Sequence, residues 1–147
     1  MPLIYDYKCN KCGFTLPSGW GYSFYVIDHR GDRIECLHPA ERKYVEEVLG
    51  IRAAQDLEYV RKMTGFNSYC ICLDCLYEFV ADLGETGWSP YDGYTSDPTL
   101  FHRNARDKRE CPKCNSLNVK TLLELKNQIC PSCKVGIIEA IWTFSVS

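Results

Sequence analysis

Three kinds of hydrophobic pattern follow one another along the chain. Tyr22-Ser23-Phe24-Tyr25-Val26-Ile27 is dense in aromatic and β-branched residues, and Arg33-Ile34-Glu35-Cys36-Leu37 alternates polar with apolar positions. Both read as strands. Asp28-His29-Arg30-Gly31-Asp32 between them reads as a turn, so a hairpin is predicted. The period then lengthens. Tyr44, Val45, Val48 and Leu49 fall on one helical face after Pro39 and Glu41, with Gly50 at the end. A second helix is predicted over residues 51–64, with Ala53, Leu57 and Val60 together, Glu58 and Lys62 in the favourable i,i+4 order, and Gly65 as a stop. A third is predicted over 74–83 from the spacing of Leu76, Phe79, Val80 and Leu83. Residues 85–110 contain Gly87, Pro90, Gly93 and Pro98 without a period and read as a long loop or linker. Its Trp88, Tyr91, Tyr94 and Phe101 suit packing onto a domain or contact with a partner. Beyond it, 117–125 and 135–146 read as strands, the latter with Ile138, Ala140, Trp142, Phe144 and Val146 on one face.

Cysteine content changes this picture most. Ten cysteines occur among 147 residues, and eight form Cys-x-x-Cys pairs: Cys9/Cys12, Cys72/Cys75, Cys111/Cys114 and Cys130/Cys133. The opening residues show neither a basic n-region nor an apolar h-region, so no signal peptide is expected. No apolar run approaches the roughly 20 residues of a membrane span. The expected setting is the cytoplasm, where disulfides are disfavoured and thiolate pairs serve as metal ligands. Two thiolates on one tight turn reach one ion, and two such pairs complete the tetrahedral set zinc prefers. Two Zn²⁺ per chain are therefore expected.

Cys111-x2-Cys114-x15-Cys130-x2-Cys133 has the spacing of a zinc site within one short segment. It resembles the zinc-ribbon family over about 37 residues, which implies a three-stranded sheet whose two knuckles grip one zinc. A rubredoxin-like iron site is the alternative; its usual knuckle has glycine after the second cysteine, where this chain has Asn115 and Lys134. For the N-terminal half, Cys9 and Cys12 joined by Cys72 and Cys75, the latter pair at a helix start, resemble a treble-clef finger with a helical insertion. A competing set joins Cys9 and Cys12 to Cys36 and His38, leaving Cys70, Cys72 and Cys75 short of a ligand. Cys36 and Cys70 otherwise read as buried thiols, and His38, before Pro39, as a helix cap. The start Met1-Pro2…Tyr5-x-Tyr7-x-Cys9-x-x-Cys12-Gly13 also resembles the FmdB-type small regulatory proteins over about 13 residues. The expected fold class is α+β: a treble-clef-like unit at 1–84, a linker at 85–110 and a zinc ribbon at 111–147.

Charge divides the chain. Residues 1–98 carry 9 Lys+Arg and 15 Asp+Glu, a formal −6; residues 99–147 carry 8 and 4, a formal +4. One four-thiolate zinc centre in each half would shift these to about −8 and +2. The resulting expectation is a non-enzymatic structural zinc protein that presents a surface to a protein partner. Weak RNA or DNA binding is the second partner class, centred on Arg103, Arg106, Lys108 and Arg109; no membrane contact is expected. Two enzyme classes compete. Asp28-His29 and Cys111-x-x-Cys114-Asn115 resemble fragments of the HNH nuclease pattern, and a Cys-x-x-Cys pair can serve a thiol oxidoreductase.

Overall fold

The alternation in the first and last strands is satisfied across almost the whole length of the chain. In a computed structural model that describes residues 3–85, 90–91 and 105–145, with side chains for all of these but 3–4 and 142–145, β1 (Leu3–Cys9) pairs antiparallel with β8 (Ile138–Ser145). The register runs from Leu3 opposite Ser145 to Cys9 opposite Ile138, with a bulge at Ile4/Tyr5. On its other side β1 pairs with β2 (Thr15–Gly19). A second set of strands is built on β5 (Thr64–Cys72). Its end pairs with β6 (Glu78–Ala81) through Ser68↔Ala81 to Ile71↔Glu78, and with β7 (Val119–Thr121) through Cys70↔Thr121 to Cys72↔Val119. β7 leads directly into a one-turn helix, Leu122–Leu125, where Thr121 and Glu124 form a reciprocal capping box. Tyr7, Cys9, Leu16, Ile71, Leu122, Leu125, Cys130 and Ile138 form one buried cluster at the heart of these elements. Burial along β8 follows the predicted period: Ile138 is buried while Glu139 and Ile141 are exposed.

These elements, apart from residues 64–67 at the start of β5, belong to one of two units into which the chain divides. The first comprises Met1–Tyr22, Ser68–Ala81 and Asp107–Ser147; the second comprises Ser23–Asn67 and Asp82–Arg106. The second contains the predicted hairpin. Here β3 (Tyr22–Ile27) pairs with β4 (Arg33–Cys36) through Phe24↔Cys36 to Ile27↔Arg33, and Asp28 Oδ1 accepts the Arg30 and Asp32 N–H groups across the turn. Two helices follow, α1 (Glu41–Leu49) and α2 (Leu57–Met63), separated by a 3₁₀ turn at Ala53–Gln55. Val45 and Val60 are fully buried. Gly50 caps α1 at φ 92°, a left-handed conformation that glycine adopts without a Cβ penalty.

A polar knot holds the second unit. The buried Tyr25 hydroxyl donates to Asp82 Oδ2 at 2.5 Å and accepts from Arg106 Nη1 at 2.6 Å; Arg106 also donates to the carbonyls of Thr64 (2.7 Å) and Lys62 (2.5 Å). Tyr25→Phe removes one hydroxyl and leaves two strong groups short of a partner. It should cost about 1–3 kcal/mol, measured as faster amide exchange within residues 23–67. Unchanged exchange there would show that the knot is not stabilising.

The mixed α+β class is observed, with more strand and less helix than the sequence suggested. Three expectations are corrected. The helix over 74–83 does not form: Leu76 adopts φ 64°, ending any helical turn, and Glu78–Ala81 returns as a strand. Apolar positions in so short a run satisfy either period, and pairing to β5 selected the strand. The strand over 117–125 is cut to three residues by the capping box. The sequential division at 84 and 111 gives way to interleaved units, because β1 finds its partner in β8 and the chain enters the first unit three times.

Candidate metal centres

All four Cys-x-x-Cys pairs adopt one local geometry. In each, the residue after the second cysteine has a positive φ: Gly13 at 74°, and Leu76, Asn115 and Lys134 at 64°. The first cysteine's N–H closes the turn onto a carbonyl five or six residues ahead: Phe14, Tyr77, Ser116 or Gly136, at 2.8–3.0 Å. Backbone N–H groups inside the turn then aim at sulfur. Cys9 Sγ accepts from Lys11 and Cys12, Cys72 Sγ from Cys75, Cys111 Sγ from Lys113 and Cys114, and Cys130 Sγ from Ser132, at 3.3–3.5 Å. Donors pointed at sulfur favour the thiolate, the form that binds metal. Glycine is therefore unnecessary after the second cysteine, and its absence at Asn115 and Lys134 does not separate a zinc knuckle from an iron one. The strained position has a test. Lys134→Gly relieves the left-handed conformation at an exposed site and should stabilise the turn by up to about 1 kcal/mol, read as slower metal loss to a chelator. Faster loss would show that Lys134 is not strained.

The pairing of the knuckles is nested rather than sequential. Cys9, Cys12, Cys130 and Cys133 form one cluster, and Cys72, Cys75, Cys111 and Cys114 the other; within each, all four sulfurs lie within 4.8 Å of one another. Both expected sets, Cys9/Cys12 with Cys72/Cys75 and Cys111/Cys114 with Cys130/Cys133, are thereby corrected. Strand pairing is the reason. The β1–β8 ladder places the Cys9 knuckle beside the Cys130 knuckle, and Asn10 seals it: its N–H donates to the Ile137 carbonyl and its Oδ1 accepts the Ile137 N–H, each at 3.0 Å. The β5–β7 ladder sets Cys72 opposite Val119, so the second and third knuckles meet. There Leu73 N–H donates to the Asn118 carbonyl at 2.8 Å, and Asp74 accepts from Ser116 Oγ and Asn118 Nδ2.

The sulfur spacing fits a tetrahedral ion. Cys9–Cys133, Cys12–Cys130, Cys72–Cys114 and Cys75–Cys111 are 3.7, 3.8, 3.5 and 3.6 Å apart. Zinc–sulfur bonds of about 2.3 Å give tetrahedral edges of about 3.8 Å, whereas a disulfide requires about 2.05 Å. Electrostatics agree. Cys133 is lowered to about 6, chiefly by the N–H groups of Gly136 and Val135. Cys72 falls to about 7: desolvation opposes ionisation, but the N–H groups of Cys75 and Asp74 outweigh it. Their neighbours move the other way. Cys12 rises to about 11, since desolvation and the sulfurs of Cys9, Cys133 and Cys130 override the Phe14 backbone contact. Cys114 rises to about 12 as the Cys72 sulfur and desolvation override the Ser116 backbone contact. Four adjacent sulfurs resist full ionisation on their own, and a divalent cation removes that conflict.

The chain matches no protein-family model, no curated protein and no solved structure.

Other candidate residues lie apart from these centres. Cys36 Sγ donates to the Ile34 carbonyl at 3.6 Å; burial, then the Glu41 and Glu35 carboxylates, push it up to about 12, so it remains a thiol. His38 Nδ1 lies 2.9 Å from Glu41 Oε2, and the helix N-cap is Ala40, so His38 is neither cap nor member of either cluster. Cys70 is buried and donates to the Ser68 carbonyl at 3.4 Å. Of the residues expected to contact phosphate, Arg106 donates to Tyr25, Thr64 and Lys62, and Arg109 to the Val119 carbonyl (2.9 Å) and Glu124 (2.6 Å). Lys108 is exposed. Arg103 lies outside the described residues, as do Trp88, Tyr94 and Phe101; Tyr91 is buried.

Sequence reasoning missed Gly136. A Cβ there would stand 2.4 Å from Cys9 Sγ and 2.9 Å from Lys11 Cβ. The available signal was its place three residues beyond Cys133, where its N–H donates to that sulfur at 3.3 Å.

Proposed function

We propose that this chain is a non-catalytic structural zinc protein. It holds two Zn²⁺ ions and presents the surface of its strands to a protein partner. The observation that carries the reading is the closure of both clusters. Each supplies four sulfurs at tetrahedral spacing, so a bound ion keeps no position for water or substrate. Opposed knuckles on strand ends make both centres zinc-ribbon-like, though each ribbon is assembled from distant segments. With only short helices and strands around them, the ions act as staples, and metal-binding free energy becomes folding free energy. A reducing compartment, the cytoplasm, suits ten thiols without a disulfide. Among the described residues, no helix is long and apolar enough to cross a membrane.

The enzyme alternatives draw no support from the geometry. Asp28 spends its carboxylate on the β3–β4 turn, and Cys111 and Cys114 serve a cluster in the other unit. Every Cys-x-x-Cys pair faces a second pair, an arrangement that suits a shared ion better than a redox couple. Elemental analysis of natively purified protein should find two zinc ions per chain. Thiol titration of that sample should find no more than the two non-cluster cysteines reactive. Iron in place of zinc, or reactive thiols in the clusters, would overturn the reading.

A further inference from the structure

The first unit has a ready-made opening for an extended chain. Among the described residues β6 pairs only with β5, and none of them covers its other edge as a strand. An open edge presents unpaired N–H and C=O groups that template a further strand. Natural edges are usually blunted, and β2 shows one such device: Pro17 at its centre has no N–H to offer. Residues 78–80 carry no proline, and large apolar side chains are exposed on and beside the strand, Tyr77 at 42% and Val80 at 52%.

Next to that edge lies an apolar cavity of about 180 Å³, walled by Leu16 and Pro17 of β2, Ile71 of β5, Phe79 and Val80 of β6, and Leu122. An apolar cavity of about 150 Å³ takes up benzene, so this one has room for a single aromatic or branched aliphatic side chain. Among the described residues, Glu78 is the only charged one on its wall. The opening thus combines backbone groups in search of a strand, a socket for one apolar side chain, and one carboxylate.

From this combination we propose that β6 is a docking edge for an extended segment of a partner protein, which adds as a strand, buries one aromatic or aliphatic side chain between β2 and β6, and sets a lysine or arginine against Glu78. Strand addition takes affinity from the main chain and specificity from side-chain pockets. The proposal rests on the partner-presenting reading above and names its surface.

The test uses the full chain with its metal bound, labelled with ¹⁵N and titrated with three synthetic five-residue peptides. The first has a central phenylalanine between valines and lysine at both ends. The second replaces the lysines with glutamates, and the third replaces the phenylalanine with alanine. Saturable shifts are expected at residues 78–80, 16 and 122 with the first peptide. The glutamate peptide should bind roughly two- to fivefold more weakly, the range for one exposed ion pair. The alanine peptide should bind roughly tenfold more weakly or worse, because it leaves the socket unfilled. Glu78→Lys should reverse the order of the lysine and glutamate peptides. The proposal is overturned by an absence of saturable shifts, by equal binding of the alanine peptide, or by an unchanged charge preference in Glu78→Lys. Self-association of the free chain through β6, seen as a doubled mass in sedimentation, would also overturn it by making a second copy the occupant. Zinc content measured on the same sample separates this surface from the structural-metal reading: two zinc ions without peptide binding remove only the docking edge.

Discussion

Replacing Cys130 and Cys133 together with serine should release one metal ion and leave the other in place. Adding serine at Cys9 and Cys12 to that variant should release no further metal. All four sulfurs belong to one cluster, with those of Cys9 and Cys133 3.7 Å apart and those of Cys12 and Cys130 3.8 Å apart. Removing either pair leaves two ligands, too few for a structural site. Loss of the ion withdraws a binding free energy on the order of 10 kcal/mol, so the β1–β8 sheet should lose its order. The Cys72/Cys75/Cys111/Cys114 centre keeps its own ladder and its Asp74 clamp. Native mass spectrometry counts the ions directly. One retained ion in the fourfold variant supports the nested pairing; none would restore the sequential pairing and sink the assignment of both centres.

Gly136→Ala should weaken the same centre through a single methyl group. The new carbon would sit 2.4 Å from Cys9 Sγ, far inside contact distance, and 2.9 Å from Lys11 Cβ and Cγ. Lysine's outer chain can swing aside, but Cβ is held by the backbone and a ligand sulfur is held by its ion. Overpacking of this kind typically costs about 1–3 kcal/mol, here concentrated on one coordination sphere. The Gly136 N–H that supports the Cys133 thiolate would shift as well. The Cys9-containing centre should therefore lose metal to a chelator at least tenfold faster, with the other centre unaffected. Gly31→Ala is the control: its φ is 85°, so it strains the β3–β4 turn, yet nothing lies within 4 Å of its added carbon. It should leave both centres filled. Equal loss in the two variants would show that general destabilisation, not the clash with Cys9, empties the site.

Residue type and local spacing alone determined which side chains form the two cysteine clusters. A Cys-x-x-Cys turn is a local object: both thiols come from one tight bend, and the backbone donors that ready them lie within the next few residues. The same locality made the β3–β4 hairpin legible through its turn residues, and α1 through its face and its Gly50 stop. What locality could not determine was which knuckle faces which. Each pair offers the same two ligands in the same geometry, so any two can close a tetrahedron. Chain separation barely discriminates between them. Loop-closure entropy grows only logarithmically, so closing a loop of about 120 residues rather than one of about 20 costs roughly 1.6 kcal/mol more, small beside the energy of a zinc centre. The choice falls to long-range strand pairing. β1 lies against β8 over the full length of both ends, and β5 accepts β7 at the very residues that lead into Cys72. Tertiary structure decided residues 76–81 for the same reason. Their apolar positions fit a helix or a strand equally well, and only the edge offered by β5, itself not recognised in the sequence, made them β6. It also decided the fate of the basic stretch. Arg106 and Arg109 read as a solvated or phosphate-facing run along the chain, but in the fold Arg106 donates to the carbonyl of Thr64 in a distant segment, and Arg109 to that of Val119 nearby.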